Sequence, residues 1–387
     1  MKASAFVYPW DVDGDPAAPD RIAALGVEQV TLAAAYHSTR ALTPRHPRHR
    51  VVTAEHAAVL YPPDDRWRGR ALRPHPAGDW APGDAYGTAA AALARAGLEV
   101  HSWVVLAHNS RLGAEHPDTS VVNAYGDRYP WAPCIAQPAT RAYLVDLAAE
   151  AAVRPGAHGT ELESLGWYGL QHLHAHDKTG GVALGEAGTY LMALCFCPAC
   201  RSGYGEHGAD PDELAAAVRD ALEPLWRGTA RDEGWPGVEK LLGPARTAAT
   251  RAWRDGTART LQESAVRAVR AAAPDGFQVL LHADPVTHHV GANPGVDPAH
   301  VLSVADGVVV PCAGGPGPLA PFAAQGREGA VLAANLGVVS GMGGSPGTLG
   351  VDMARAGGLG ATEIRLYHAG LASDDDLDAV REALAAR

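Results

Sequence analysis

Gly307-Val308-Val309-Val310-Pro311 and Ala330-Val331-Leu332-Ala333-Ala334-Asn335-Leu336 are short, near-continuous apolar runs bounded by turn residues. A strand with one wet face would alternate polar and apolar side chains. These do not, so both of their faces must be covered, as in a parallel sheet with helices outside it. Six further runs of this kind lie at residues 5–10, 29–36, 100–107, 160–165, 277–282 and 363–368. Stretches with helical periodicity separate them, clearest at 19–25, 86–96, 139–152, 211–225, 245–273, 298–305, 349–356 and 374–385. This repeated alternation of strand and helix predicts an α/β fold, a single (β/α)8 TIM barrel spanning residues 1–387.

An open doubly wound sheet is the rival architecture, and it would place a glycine-rich phosphate turn after the first strand. Pro9-Trp10-Asp11-Val12-Asp13-Gly14 stands there instead, and Gly341-Met342-Gly343-Gly344 lacks the helix spacing such a turn requires. The strand-to-helix loops after the second, third and fourth strands are long, at 38–84, 108–138 and 166–210. In a barrel these loops build the active face, so the extra residues lie where chemistry would be. The segment 166–210 reads as an extended insertion carrying a histidine cluster and a cysteine cluster.

Of 387 residues, 47% are apolar, enough for a large core. The formal charge of −11, with no basic run, argues against a nucleic-acid or anionic-membrane partner. The N-terminus enters a strand-like segment without a charged leader, and no run of about eighteen apolar residues occurs, so a soluble, cytoplasmic protein is expected. The five cysteines, three of them crowded into 195–200, suit a reducing compartment and a metal site better than a disulfide framework.

Polar residues at strand ends are the natural candidates for chemistry. They are Asp11 and Asp13, His37, His108 and Asn109, Glu161 and Glu163, His282 and Asp284, Cys312, Asn335, and Tyr367 with His368. Glu161 and Glu163 project to one face of a strand. If both look into the barrel, one should have a raised pKa and the pair could supply an acid and a base. Alternatively Glu161 pairs with an arginine near the barrel floor and Glu163 alone is reactive. His172, His174 and His176, followed by Asp177-Lys178, would line one side of an extended segment, whereas in a helix only His172 and His176 share a face. Cys195-x-Cys197-x-x-Cys200 fits tight wrapping of a tetrahedral ion, best a structural Zn2+, with Cys134 the preferred fourth ligand and a cluster histidine second.

Trp131-Ala132-Pro133-Cys134-x-x-x-Pro138 leading into Arg141-Ala142-Tyr143-Leu144, Leu162-Glu163 closing the fourth strand, and Cys195-x-Cys197-Pro198-x-Cys200-Arg201 together resemble the glycoside-hydrolase-like (β/α)8 barrel proteins. The resemblance covers roughly residues 100–205 and implies a carbohydrate-active pocket with Glu163 as the fourth-strand acid. The chain departs from common barrel glycosidases at the sixth and seventh strands, which end in Pro311-Cys312 and Asn335 without an acid. A second carboxylate would then be Glu161, Asp177, Asp284 or Asp11, with Asp284 preferred. The expected reading is a glycosidase of a small sugar or glycoside, with Glu163 as nucleophile or base and Asp284 or Asp177 as the acid. Trp10, Asp11, His37, His108, Asn109, Trp167, His172, His176, His282, Asn335 and His368 would bind substrate, and Trp103 offers a further stacking face. A metal-dependent sugar isomerase, epimerase or lyase using Glu163, His282, Asp284 and a histidine of the 172–176 cluster, and a non-catalytic sugar-binding barrel, are the alternatives. The sequence does not give the oligomeric state.

Overall fold

The computed structural model describes residues 1–170, 177–229 and 233–387. Its centre is a closed barrel of eight parallel strands: β1 (Lys2–Val7), β2 (Gln29–Tyr36), β3 (Glu99–Val105), β4 (Gly159–Glu163), β5 (Gln278–His282), β6 (Gly307–Pro311), β7 (Val331–Gly337) and β8 (Glu363–Tyr367). Each strand pairs with the next, and β8 returns to pair with β1, which closes the sheet. The predicted TIM barrel is therefore the fold.

The covering helices are α1 (Ala18–Ala23), α2 (Ala85–Arg95), α3 (Pro138–Ala152), α4 (Pro244–Ala272), α5 (Pro298–Val304), α6 (Ala320–Ala323), α7 (Leu349–Gly358) and α8 (Asp374–Ala385). Local chemistry explains several of the starts. Pro138, Pro244 and Pro298 occupy first-turn positions where a missing N–H costs nothing. Asp297 caps α5 by accepting from the His300 amide at 3.0 Å, and Ser373 with Asp376 forms a reciprocal capping box on α8. Alternate residues of the strands point outward, where Val30, Val100, Leu162, Val279, Val308 and Ile364 belong to the main apolar core.

The segment following β4 differs from the expected extended loop. Among the described residues it contains helices Gly185–Ala193, Pro198–Glu206, Pro211–Trp226 and Trp235–Leu242 before α4 begins. The first two are short and carry internal glycines, so they give little periodic signal. The four-residue α6 is too short to show a helical period at all. His172, His174 and His176 lie outside the described residues. The long loop after β2 forms an antiparallel hairpin, Thr39–Leu42 with Val51–Ala54, and the loop after β3 forms another, Ser120–Val122 with Arg128–Pro133. Among the described residues no helix is long and apolar enough to cross a membrane.

Candidate active site

Glu161 and Glu163 stand at successive inward positions of β4, opposite Trp103 and Val105 of β3. Their surroundings separate their roles. Glu161 is fully buried; its Oε1 accepts from Arg365 Nε at 2.5 Å and from Thr31 Oγ1 at 3.1 Å. Burial alone would raise its carboxyl, but Arg365 and then His282 outweigh it and hold it down to about 2. Arg365 also reaches Glu363 at 2.8 Å. Glu161 is thus the arginine-paired carboxylate of the second alternative.

Glu163 sits at the carboxyl end of β4, where Ser164 turns the chain out of the strand with a φ of 57°, a conformation non-glycine residues adopt at a cost. The Glu163 Oε2 accepts from Trp103 Nε1 at 2.7 Å. Burial pushes its carboxyl above the usual range, assisted by Glu161 and opposed by His282 and the Trp103 hydrogen bond. His282, at the end of β5, lies between the two glutamates, with Nε2 3.4 Å from Glu161 and Nδ1 4.0 Å from Glu163. A column of ionisable groups, Glu163, His282, Glu161, Arg365 and Glu363, therefore runs through the barrel interior.

An aromatic wall surrounds the upper end of this column. Tyr8 stacks on His368 at 4.2 Å and on Trp10 at 4.5 Å, and its hydroxyl donates to that of Tyr36 at 2.9 Å. Tyr36 meets Trp103 edge-on at 4.6 Å and stacks on His37, which lies 4.7 Å from His108; His108 in turn stacks on Tyr168 at 4.3 Å. Tyr367 packs edge-on against Phe6. Burial raises the phenols of Tyr8, Tyr36, Tyr168 and Tyr367, so each stays a hydrogen-bond donor. The sequence reading missed Tyr8, Tyr36 and Tyr168. Tyr8 and Tyr36 belong to apolar strand runs, and their only signal was their place near the runs' ends. A cavity of ≈ 480 Å³ opens at the ends of β6 to β8, lined by Cys312, Asn335 and Tyr367 among others. The Asn335 Oδ1 is buried without a hydrogen-bond partner among the described residues.

The remaining candidates have other surroundings. Asn109 caps the helix Ser110–Glu115 by accepting from the Leu112 amide at 2.9 Å. Trp167 is buried; its Nε1 donates to the Arg254 carbonyl and the Arg254 guanidinium covers its ring, so that face is not presented to a sugar. Trp10 lines a separate cavity of ≈ 330 Å³ with Trp80, Arg48 and His49. Asp177 is exposed. Asp284 accepts from the Val286 amide at 2.8 Å and lies 3.1 Å from His289 Nδ1; among the described residues no hydrogen bond or ion pair joins it to Glu163. His368 is buried, its Nδ1 accepts from the Gly370 amide, and burial, then Arg45, lower it to about 3, so it is a neutral imidazole.

Asp11 accepts from the Tyr8 amide at 2.8 Å beneath Gly370, where any Cβ would lie 1.8 Å from its carboxylate. Burial pushes its carboxyl up to about 7, against the Tyr8 hydrogen bond and Arg45. The folded protein therefore holds this proton more tightly than the unfolded chain. The resulting stabilisation is complete below about pH 4 and is lost as pH rises to about 7. Asp11→Asn is expected to remove up to about 1.4 kcal/mol per pH unit of slope in that window. Urea unfolding of both proteins from pH 4 to 8 measures it, and parallel stability curves would refute the assignment.

The thiols of Cys134, Cys195, Cys197 and Cys200 are buried and gathered within 4.8 Å of one another. Cys134 Sγ lies 3.6 Å from those of Cys197 and Cys200. Sulfurs at about 2.3 Å around a tetrahedral zinc stand roughly 3.8 Å apart, so the spacing fits such an ion. The amides of Val122 and Cys197 also point at Cys195 Sγ, at 3.4 and 3.5 Å. Cys134 is the fourth thiol of the cluster, as the sequence reading preferred. All five cysteines are free of disulfides.

No protein-family model and no curated protein matches the sequence. Solved structures do match in fold. The glycoside hydrolase domain of PgaB (BpsB) from Bordetella bronchiseptica has a TM-score of 0.58 at 16% identity, over 99% of either chain. The catalytic domain of β-amylase from Paenibacillus polymyxa has a TM-score of 0.57 at 12% identity, over 99% of this chain and 97% of that one. The α-L-fucosidase isoenzyme 2 from Paenibacillus thiaminolyticus has a TM-score of 0.58 at 12% identity; this chain is covered entirely but spans 49% of the fucosidase. At these identities the likeness is one of barrel fold.

Proposed function

We propose that the protein is a glycoside hydrolase, or a closely related carbohydrate-active enzyme, acting on a small sugar or glycoside with Glu163 as its proton donor. The observation that carries this is the environment of Glu163: a carboxyl at the mouth of a barrel, buried against an indole N–H, with its pKa raised while the neighbouring Glu161 stays ionised. A general acid must hold its proton more tightly than a free carboxyl and release it to a leaving oxygen, and burial shifts Glu163 in that direction. The tyrosine and histidine wall supplies donors for sugar hydroxyls and apolar faces for ring carbons. The ≈ 480 Å³ cavity beside Tyr367 has room for a sugar ring. The barrel glycosidases among the fold neighbours favour the same reading.

The metal-dependent isomerase or lyase reading has less support. Among the described residues, the groups that gather three or more metal donors are the four cysteines and Glu186, His288 and His289, and neither contains Glu163. The proposal is tested by offering a panel of chromogenic glycosides to the wild type and to Glu163→Gln, with and without chelator. Cleavage that is lost in the variant and indifferent to chelator supports it. Sugar binding without any turnover would establish the non-catalytic barrel, and turnover abolished by chelator would favour the metal enzyme.

We further propose zinc in the four-cysteine cluster. A closed tetrathiolate has no open position, so it would staple the loop after β3 to the helix Pro198–Glu206 without entering the chemistry. Cys197→Ser combined with Cys200→Ser is expected to hold one equivalent of zinc fewer than the wild type. It should also lose about 2.7 kcal/mol of stability for a site saturated 100-fold above Kd. Equal zinc content in the two proteins, by elemental analysis, would sink the assignment.

A further inference from the structure

A second group of metal donors lies apart from the thiols and is used by none of the roles above. We propose that Glu186, His288 and His289 form a site for a divalent transition-metal ion of the zinc class, pinning the helix Gly185–Ala193 to the segment that follows β5. One donor atom from each of the three residues lies within 4.8 Å of the others, although Glu186 is about a hundred positions away in sequence. The Glu186 carboxylate contacts His288 Nε2 directly. Ligands at about 2.0–2.2 Å around one ion stand roughly 3.3–3.6 Å apart, so side-chain rotation suffices to close the set.

His288 is packed in place, whereas His289 is partly exposed. Trp235 stacks on the His288 ring at 4.3 Å, and Tyr190 meets it edge-on. The His288 side chain is 8% exposed. His289 places Nδ1 3.1 Å from the Asp284 carboxylate, so its Nε2 is the nitrogen left for a cation. A carboxylate holding the far edge of a ligating imidazole fixes the ring and raises its basicity. Asp284, which the sequence suggested as a catalytic acid, is here a positioning residue for His289. Two imidazoles and one carboxylate also leave a coordination position open, unlike the closed cysteine site.

The test is metal content and binding on the whole protein. Wild type, His288→Ala and the milder Glu186→Gln are loaded with zinc, desalted and analysed, and metal-free samples are titrated with cobalt(II). The wild type is expected to hold one equivalent more than either variant, whatever the cysteines hold. Its cobalt titration should also contain a step without sulfur-to-cobalt charge-transfer absorption that both variants lose. Zinc binding should raise the Tm of the wild type more than that of Glu186→Gln. If His288→Ala does not fold, Glu186→Gln alone decides. Equal stoichiometry in wild type and the folded variants, or a cobalt titration with sulfur-bound steps only, overturns the site.

Discussion

Glu163→Gln is expected to lower kcat on any glycoside the wild type cleaves by about 10²–10⁴-fold, the usual worth of a positioned general acid. Its Tm should be unchanged or higher. Glutamine has the same shape, its amide oxygen can still accept from Trp103 Nε1, and it removes a carboxyl that ionises only against the cost of burial. A destabilised, unfolded variant would show a lowered Tm, so the two measurements separate chemistry from folding. The pH profile adds a second check. An acid acts while protonated, so kcat/KM should fall as pH rises through the raised pKa of Glu163, and the variant should lack that limb. The Trp103 hydrogen bond favours the ionised form, so Trp103→Phe should move the limb to higher pH. Full activity in Glu163→Gln would remove the carboxyl from the reaction.

Much of the scaffold was legible because a parallel barrel strand must be apolar on both faces. Gly307–Pro311 and Gln29–Tyr36 were readable to the residue, and α8 occupies the expected 374–385. β1 begins earlier than expected, at Lys2, and Pro9-Trp10-Asp11 leaves the strand as a helical turn, since proline cannot extend the ladder there. Cys195, Cys197 and Cys200 could be read as one cluster from their spacing, whereas Glu163 stood out only by its place at a strand end two positions from Glu161. Arg365 could not be linked to Glu161, nor Glu186 to His288, because no local pattern encodes a contact across 204 or 102 residues. The tyrosines of the site were hidden for a different reason. In strands Tyr8 and Tyr36 read as core, and only the closed barrel turns them toward the same mouth as Glu163.

Arg365→Met is expected to destabilise the protein by about 3–5 kcal/mol, the usual cost of removing one partner from a buried ion pair. The guanidinium is wholly buried and is shared by Glu161 and Glu363, so its loss strands one fully buried carboxylate and a second one nearby. The cost should depend on pH in a definite direction. Glu161 is held down to about 2 in the folded protein, so its contribution is present above the ordinary carboxylate range, about 4, and fades as pH falls toward 2. Without Arg365 that carboxyl should take up a proton on folding, and the gap between variant and wild type should narrow in acid. Pairing the substitution with Glu161→Gln removes the stranded charge, so the double variant should recover part of the loss. Chemical denaturation of the four proteins gives the coupling energy directly. Additive losses would mean the two side chains stabilise the barrel independently. A large coupling would mean that Arg365 fixes the charge of Glu161 in the barrel interior.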